Sequence, residues 1–194
     1  TAAERAVLFP NPEQNQRVQN LETGAIERWT SGSWQSDYDI YSSNGAINIK
    51  TYGAIGDGDV VNATANVTAI RAAMADCLTY DKDLYIPPGV FRVNNNFTFD
   101  GDWSGKTVFG NGPSSVIKVS TSIDTGANVE AGWTIILDGA SNGALENFRM
   151  TGLRVDGNRG NITGLGASTM RGIVAYQDSD LHNVQVDNCW VQDY

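Results

Sequence analysis

Short runs of apolar residues, separated by turns rich in Gly, Asn, Ser and Asp, fill the chain from position 46 onward. Within these runs apolar and polar residues tend to alternate, which is the period of a β-strand with one buried face. Prolines at 87 and 88 interrupt one run, and proline is excluded from the middle of a sheet. The pattern predicts strands over residues 47 to 49, 84 to 93 with a break at the prolines, 107 to 109, 116 to 119 and 134 to 137.

One segment has the period of a helix instead. Four apolar residues follow one another there at spacings of 3, 4 and 3: Val67, Ile70, Met74 and Cys77. This spacing puts them on one face, so we predict a helix over residues 66 to 78, with Thr64 and Asn66 as candidate N-caps. A single amphipathic helix ahead of many strands is suited to cover the open end of a stack of strands.

An internal repeat gives the strongest indication of architecture. Residues 145 to 155 align without gaps on residues 181 to 191, an offset of 36 positions, and both copies read Leu-x-Asn-apolar-x-apolar-x-small-apolar-x-Val. A fixed offset in a strand-rich segment indicates stacked turns of chain, so Phe148 and Val184 should occupy equivalent places.

The same offset places two asparagines above one another. Asn147 and Asn183 should form a ladder in which each satisfies the other's amide inside the turn. The offset is long for a simple turn of chain. We therefore assign the extra length to a projecting loop over residues 157 to 169, which is rich in Gly, Asn, Ser and Thr.

Residues 1 to 45 differ in texture from residues 46 to 194 and are treated as a separate segment. Strand patterns separated by glycine turns predict a small β-hairpin that carries Trp29 and Trp34. A hairpin alone is marginal in water, so these tryptophans either fill a small local core or pack on another surface. Because the chain ends at Tyr194 within a strand pattern, we expect the second segment to be truncated at its C-terminus.

The amino-acid composition limits which classes of partner the chain can bind. The chain has 13 Lys and Arg against 22 Asp and Glu, a net charge of −9, and no basic cluster that would neutralise phosphates. Nucleic acid is therefore excluded as a partner, and no apolar run of about 18 residues predicts membrane insertion. The first residues lack the order of a signal peptide. Cys77 and Cys189 both occupy apolar positions, which favours reduced thiols over a disulfide.

Four motifs occur in order along residues 47 to 191. They are Ile-Asn-Ile-Lys-Thr-Tyr-Gly-Ala-Ile-Gly-Asp-Gly at 47 to 58, Ala-Ile-Arg-Ala-Ala at 69 to 73, Leu-Tyr-Ile-Pro-Pro-Gly-Val-Phe-Arg-Val at 84 to 93, and Gly-Lys-Thr-Val-Phe-Gly-Asn-Gly-Pro at 105 to 113. Together they resemble the start of the pectate-lyase superfamily domain of bacteriophage tailspikes and of some secreted glycan-degrading enzymes. The resemblance implies an all-β fold: the N-terminal coils of a right-handed parallel β-helix with a capping helix.

Carboxylates are the candidates for glycan chemistry, because hydrolysis commonly uses two of them separated by about 5 to 9.5 Å. Four lie in or beside predicted turns: Asp156, Asp178, Asp180 and Asp187. Turns favour Asp for backbone hydrogen bonding alone, and we prefer that structural interpretation for each. The catalytic residues are therefore unassigned.

Two other groups are also interpreted as structural. Asp57, Asp59 and Asn62 outline a loop like a calcium site, but the later bidentate Glu is missing, so a plain turn is predicted. His182 should face outward, because Leu181 and Asn183 on either side of it are expected to face inward. No Cys/His metal spacing or phosphate-binding glycine loop occurs, so no metal or cofactor is predicted.

Three functions remain open. The first is a bacteriophage tail fibre or tailspike in the virion tail, assembled in the host cytoplasm, whose residues 1 to 45 dock to a tail or adaptor protein. Its β-helix would begin the part that binds host-surface polysaccharide, and the resemblance implies a homotrimer. The second is a secreted polysaccharide lyase or glycoside hydrolase, and the third is a module that binds glycan without cutting it. We expect this chain alone to be inactive on glycans.

Overall fold

The structure is a computed structural model that describes residues 17–19, 26–30, 33–36, 45–120, 133–161, 171–175 and 180–193. The chain divides into two units, Thr1–Gly45 and Ala46–Tyr194. In the first unit, strands β1 (Arg17–Gln19), β2 (Ile26–Thr30) and β3 (Ser33–Ser36) form an antiparallel sheet with β2 in the centre. The β2–β3 pair is the predicted hairpin, and Trp29 and Trp34 are partners in its register.

The second unit is mostly β-structure with one α-helix in its described part, α1 (Ala63–Thr79). Its strands are β4 (Ala46–Asn48), β5 (Asp83–Ile86), β6 (Gly89–Val93), β7 (Phe97–Phe99), β8 (Thr107–Gly110), β9 (Ser115–Val119), β10 (Trp133–Leu137), β11 (Leu145–Glu146), β12 (Arg149–Thr151), β13 (Arg154–Asp156), β14 (Arg171–Ala175), β15 (Leu181–His182), β16 (Gln185–Asp187) and β17 (Trp190–Gln192).

These strands form parallel sheets, and each successive turn of the chain, here called a coil, adds strands to them in order. The first sheet runs β4-β5-β8-β12-β16, the second β6-β9-β13-β17 and the third β7-β10-β14, and β11 pairs with β15. Every pairing among the described strands of this unit is parallel. Parallel strands need long connections, which the coils supply.

One apolar core lies between the sheets. Leu84, Val108 and Met150 enter it from the first sheet, and Phe91 and Ile117 from the second, all of them at most 1% exposed. Burial alternates along β6 and β7, as the two-residue period of strand side chains predicts, whereas β5 and β9 each have three consecutive buried residues. The alternation seen in the sequence therefore identifies the buried face of β6 and β7.

Helix α1 packs on β4, β5 and β6 and joins the same core. The predicted apolar face is confirmed: Val67, Ile70, Met74 and Cys77 are all buried. Cys77 and Cys189 are free thiols, as predicted, and burial raises the pKa of Cys77 to about 12.

The predicted N-caps of this helix are wrong. The helix begins at Ala63, and the residue at the cap position is Asn62, whose side chain makes no capping hydrogen bond. Thr64 lies in the first turn and accepts a hydrogen bond from Asn94. Asn66 lies inside the helix and is fully buried, with its carboxamide bonded to backbone groups of Ile55 and Arg92. Its polar side chain joins the helix to its neighbours instead of capping it.

The repeat of 36 positions is confirmed in the register of three strand pairs. Leu145 pairs with Leu181, Arg149 with Gln185 and Arg154 with Trp190. Phe148 and Val184 lie between the first two of these pairs, in equivalent places on neighbouring coils. The Phe148 carbonyl also accepts the Gln185 N–H at 2.9 Å.

The asparagine ladder forms, but on the outside. Asn183 Nδ2 donates to Asn147 Oδ1 at 2.8 Å, and both residues are exposed. The expectation that Asn147 and Asn183 face inward is wrong because both have left-handed backbone, with φ of 53° and 51°. This conformation, which Asn tolerates, breaks the strand alternation on which the inward assignment rested.

A second repeat escaped the sequence analysis. Phe99 ends β7 and is followed by Asp100-Gly101, and Leu137 ends β10 in the next coil and is followed by Asp138-Gly139, with Phe99 and Leu137 in register. Asp100 accepts the N–H of Asp102 at 3.2 Å, and Asp138 accepts that of Ala140 at 2.8 Å. Each aspartate thus starts the same turn, and each glycine then lies against the following coil.

The last coil leaves part of its inward face uncovered. Val186 and Val191 are 43% and 51% exposed, whereas Met150 and Val155, their partners in the preceding coil, are 0% exposed. The predicted projecting loop lies largely outside the described residues, beyond a short 3-10 helix at Arg159–Asn161. No helix in the described ranges is long and apolar enough to cross a membrane.

Candidate functional site

A column of polar residues crosses the outer face of the second sheet. Lys118 on β9, Asp156 on β13 and Gln192 on β17 are partners in register, so their side chains stack from coil to coil. Lys118 Nζ lies 3.0 Å from Asp156 Oδ2, and Gln192 Nε2 lies 3.2 Å from the same oxygen. The Asn158 N–H donates to the other carboxylate oxygen at 2.9 Å.

Asp156 is only 1% exposed, so the charge state of its carboxyl depends on these partners. Burial by itself raises the pKa, but the Lys118 ammonium, the Asn158 N–H and Arg154 outweigh it and hold the pKa of Asp156 below its ordinary value. The group is therefore a carboxylate at neutral pH. An anion held by a lysine in this way stabilises the stack and has no proton to donate to a leaving group.

Asp187 has its own basic partner on the first sheet. Arg149 Nε lies 2.8 Å from Asp187 Oδ2, and Arg149 Nη2 lies 3.1 Å from Oδ1, in the two-pronged geometry that guanidinium and carboxylate favour. This ion pair, with the Thr151 hydroxyl, lowers the pKa of Asp187 to about 2. Asp156 and Asp187 thus belong to different sheets and to separate ion pairs.

The remaining candidates lie on the surface or outside the described residues. Asp180 Oδ1 lies 2.8 Å from His182 Nε2, and both side chains are more than half exposed. His182 faces solvent, as predicted, although Asn183 beside it does so too. Asp178 lies outside the described residues.

The turn at Asp57 and Asp59 has the structural role predicted for it. Asp57 Oδ1 accepts the Asp59 N–H at 2.9 Å and also binds the Asn62 amide, while Asp59 accepts the Val61 N–H at 3.1 Å. The bond from Asp59 lowers the pKa of Asp57. Among the described residues no group of three or more His, Cys, Asp or Glu is placed to hold a metal ion.

Sequence reasoning missed an aromatic and basic pair beside the polar column. Trp190 on β17 is 42% exposed on the outer face, next in register to Arg154 on β13. The Nε of Arg154 is buried and has no hydrogen-bond partner among the described residues, and its Nη2 lies 3.4 Å from Asp156. Both residues occupy the outward-facing "x" position before the final Val of the repeat, which is the signal that could have identified them.

We expect Asp156→Asn to lower the free energy of unfolding by about 2 kcal/mol at neutral pH, because it removes a charge-assisted bond and leaves Lys118 unpaired. The folded pKa lies below the unfolded value, so this stabilisation is present above about pH 4 and is lost as the pH falls through the folded pKa. Denaturant unfolding of both proteins across this pH range measures the difference.

The matched control is Asp180→Asn, which removes an exposed pair and should cost less than about 1 kcal/mol. Equal losses in the two variants, or a loss at Asp156 that stays constant with pH, would contradict the prediction.

Comparison with known proteins places this architecture among solved structures. No protein-family model and no curated protein matches the chain. The A-module of AlgE4, a mannuronan C-5 epimerase of Azotobacter vinelandii, is 26% identical with a TM-score of 0.53, over 74% of this chain and 37% of that one. The AlgE6 A-module of the same organism is 24% identical with a TM-score of 0.52, over 74% and 37%.

A phage protein has a similar fold. The pre-mature gene product 12 of bacteriophage phi29 is 22% identical with a TM-score of 0.50, over 76% of this chain and 18% of that one. The chain therefore spans well under half the length of each of these proteins. The class that these data define is a mostly β protein built of stacked parallel sheets with one helix.

Proposed function

We propose that residues 46 to 194 are the first coils of a right-handed parallel β-helix in a bacteriophage tail fibre or tailspike that binds host-surface polysaccharide. The observation that carries the proposal is the coil-by-coil order of the parallel sheets, with α1 packed on the first strands. The ordered motifs that resemble tailspike domains supply the phage assignment. The AlgE4 module, which has a similar fold, belongs to an enzyme whose name gives the polysaccharide mannuronan as its substrate.

The outer face of β13 and β17 is the surface that we propose for the glycan. Trp190 offers an exposed aromatic face on which the apolar side of a sugar ring can stack. Arg154 next to it offers guanidinium donors, which suit hydroxyl and carboxylate oxygens of a sugar. An aromatic ring with adjacent fixed donors is a common composition of binding sites for polar ligands.

The assembly that accompanies this function is a homotrimer located in the virion. The first unit contains Phe9, Leu21, Ile26, Trp29 and Trp34 in a segment too short to enclose them all. Each large apolar side chain left in water forfeits roughly 1.5 to 3 kcal/mol, which favours a partner surface. Closed symmetry buries identical patches without leaving an open edge, and the same segment would dock to a tail or adaptor protein.

The test compares Trp190→Ala with Tyr80→Ala. Tyr80 is the matched control because it is also an exposed aromatic residue but lies at the end of α1. Binding to a panel of purified bacterial capsular polysaccharides, lipopolysaccharides and mannuronan would be measured for each protein. For any glycan of the panel that the unmodified protein binds, loss of a stacking contact in Trp190→Ala should weaken the affinity about tenfold, whereas Tyr80→Ala should leave the affinity unchanged.

Mass photometry of the same samples measures the assembly, and a trimer of the 20.9 kDa chain is the expected species. Deleting residues 1 to 40 should then yield monomers. Failure of the whole panel to bind, together with a monomer that is indifferent to the deletion, would contradict the tail-fibre proposal.

A second candidate is a secreted polysaccharide-modifying enzyme, a lyase or hydrolase, which the likeness to two epimerase modules favours. In the described residues Asp156 and Asp187 are both tied to basic partners, so this chain by itself should release no product from a glycan. A reducing-end assay and an absorbance assay for unsaturated products test for hydrolysis and elimination. Product release by the chain would favour the enzyme.

A further inference from the structure

Asparagine followed by glycine occurs three times in the chain, and two of these pairs have different hydrogen-bonding surroundings in the structure. Asn44–Gly45 has its asparagine outside the described residues, which leaves Asn111–Gly112 and Asn142–Gly143. Asn142 and Gly143 form an exposed turn between β10 and β11, with φ of 53° and 91°. A backbone at positive φ suits Asn and Gly in tight turns.

We propose that Asn142 is a site of spontaneous deamidation in the folded protein. The Gly143 backbone nitrogen attacks the side-chain carbonyl carbon of Asn142, a new C–N bond closes a succinimide ring, and the side-chain nitrogen leaves as ammonia. The proton of the Gly143 N–H goes to solvent base, and a proton from solvent completes the ammonia. Water then opens the ring at either carbonyl and leaves aspartate or isoaspartate at position 142.

The reaction needs a free N–H on the following residue and room for the chain to turn. The Gly143 N–H donates to no acceptor among the described residues, and no heavy atom lies within 4 Å of the place where a Cβ on Gly143 would be. The Asn142 carboxamide makes one exposed hydrogen bond, from Nδ2 to Asp100 Oδ2 at 2.9 Å. Among the described residues this exposed bond is the one hydrogen bond that restrains the Asn142 side chain, while the backbone of the turn is restrained on its other side by Gly101.

Asn111–Gly112 has the same two residues and opposite surroundings. The Gly112 N–H donates to the Gly152 carbonyl on the next coil at 2.8 Å, so the nitrogen that would attack is occupied. Asn111 Oδ1 accepts a hydrogen bond from the buried Tyr85 hydroxyl at 2.8 Å, which holds the carboxamide. Asn111 is therefore an internal control with the same Asn-Gly pair.

Deamidation would alter a contact between coils. It replaces the Asn142 amide with a carboxylate opposite Asp100, so a hydrogen bond becomes a repulsion. The isoaspartate product also adds a methylene to a backbone that packs tightly on the coil before it. A Cβ on Gly101 would meet the carbonyl oxygens of Asn142 and Gly143 at 2.3 and 2.6 Å, so there is no space for displacement in that direction. The modified chain should therefore be less stable.

Peptide mapping by mass spectrometry tests the site, because deamidation adds about 1 Da to the peptide. The folded chain would be incubated in mildly alkaline buffer, and the Asn142 and Asn111 peptides followed over time. We expect deamidation of the Asn142 peptide to be about tenfold faster, or more, than that of the Asn111 peptide. A factor of this size is what one ordinary hydrogen bond to the attacking nitrogen of Gly112 would cause. In denaturant the two rates should approach each other.

Two outcomes would overturn the proposal: a rate at Asn142 no faster than at Asn111 in the folded chain, or a ratio that denaturant leaves unchanged. The consequence is tested separately with Asn142→Asp, which should unfold at lower denaturant than the unmodified chain at neutral pH. Combining it with Asp100→Asn should recover part of that loss. Full stability of Asn142→Asp would remove the inferred effect on the coil contact.

Discussion

Gly139→Ala should lower the free energy of unfolding by about 3 kcal/mol or more, whereas Gly160→Ala should be nearly neutral. An added Cβ at position 139 would lie 2.0 Å from the Asp180 carbonyl oxygen and 2.6 Å from its carbon. This obstacle is backbone, and the same oxygen accepts the Leu145 N–H at 3.0 Å. A flexible side chain could move aside, but this carbonyl cannot move without breaking that bond.

Gly160 is the matched control because it is exposed and a Cβ there would meet nothing within 4 Å. Denaturant unfolding followed by circular dichroism measures both variants, with the midpoints compared at equal slope. If Gly139→Ala and Gly160→Ala unfold at the same midpoint, the close stacking of the two coils at this position is wrong.

Asn66→Ala should cost about 3 kcal/mol, because it removes three partly buried hydrogen bonds that a fully buried carboxamide makes to backbone groups. Asn66 Oδ1 accepts the Ile55 N–H at 2.7 Å, and Nδ2 donates to the carbonyls of Ile55 and Arg92 at 3.0 and 3.1 Å. One carboxamide thus joins α1 to the preceding loop and to β6. Intrinsic helix propensity alone predicts the opposite sign, since alanine is the better helix former.

Thr68→Ala on the exposed side of the same helix is the control. Among the described residues the Thr68 hydroxyl bonds only to the Thr64 carbonyl one turn earlier, so its loss should change the unfolding free energy by less than about 0.5 kcal/mol. Thermal or denaturant unfolding separates the two variants. An Asn66→Ala protein as stable as Thr68→Ala would show that the buried carboxamide contributes nothing net.

Much of the fold could be predicted because local periods report burial directly. The spacing of Val67, Ile70 and Met74 gave the helix and its buried face, and the structure differs only in its ends, Ala63–Thr79. The repeat of 36 positions gave the register of β11 with β15 and of β12 with β16. In both cases the residues that share a surface recur at a fixed interval along the chain.

The polar residues were harder to place. The sequence predicts a helix cap for Asn66 and an inward-facing ladder position for Asn183, because asparagine often has these local roles. Their partners are backbone groups or side chains more than ten positions away, such as Arg92 for Asn66. The repeat of Asp100-Gly101 at Asp138-Gly139 was missed because a match of only two residues is a weak signal until the strand register aligns them.

The candidate site shows the same division. The sequence placed Asp156 and Asp187 in or beside turns, and the preference of turns for Asp favoured a structural role for both. Only the tertiary structure brought Lys118 and Gln192, from the coils on either side, onto Asp156 and Arg149 onto Asp187.

The sequence by itself thus determined several of the strands, the helix and the stacking interval of 36 positions, because hydrophobic burial acts on every residue at the same local spacing. The tertiary structure decided the protonation of Asp156, the buried position of Asn66 and the need for glycine at 139. Those properties depend on what the neighbouring coil places within a few ångströms, and no pattern along a single coil contains that information.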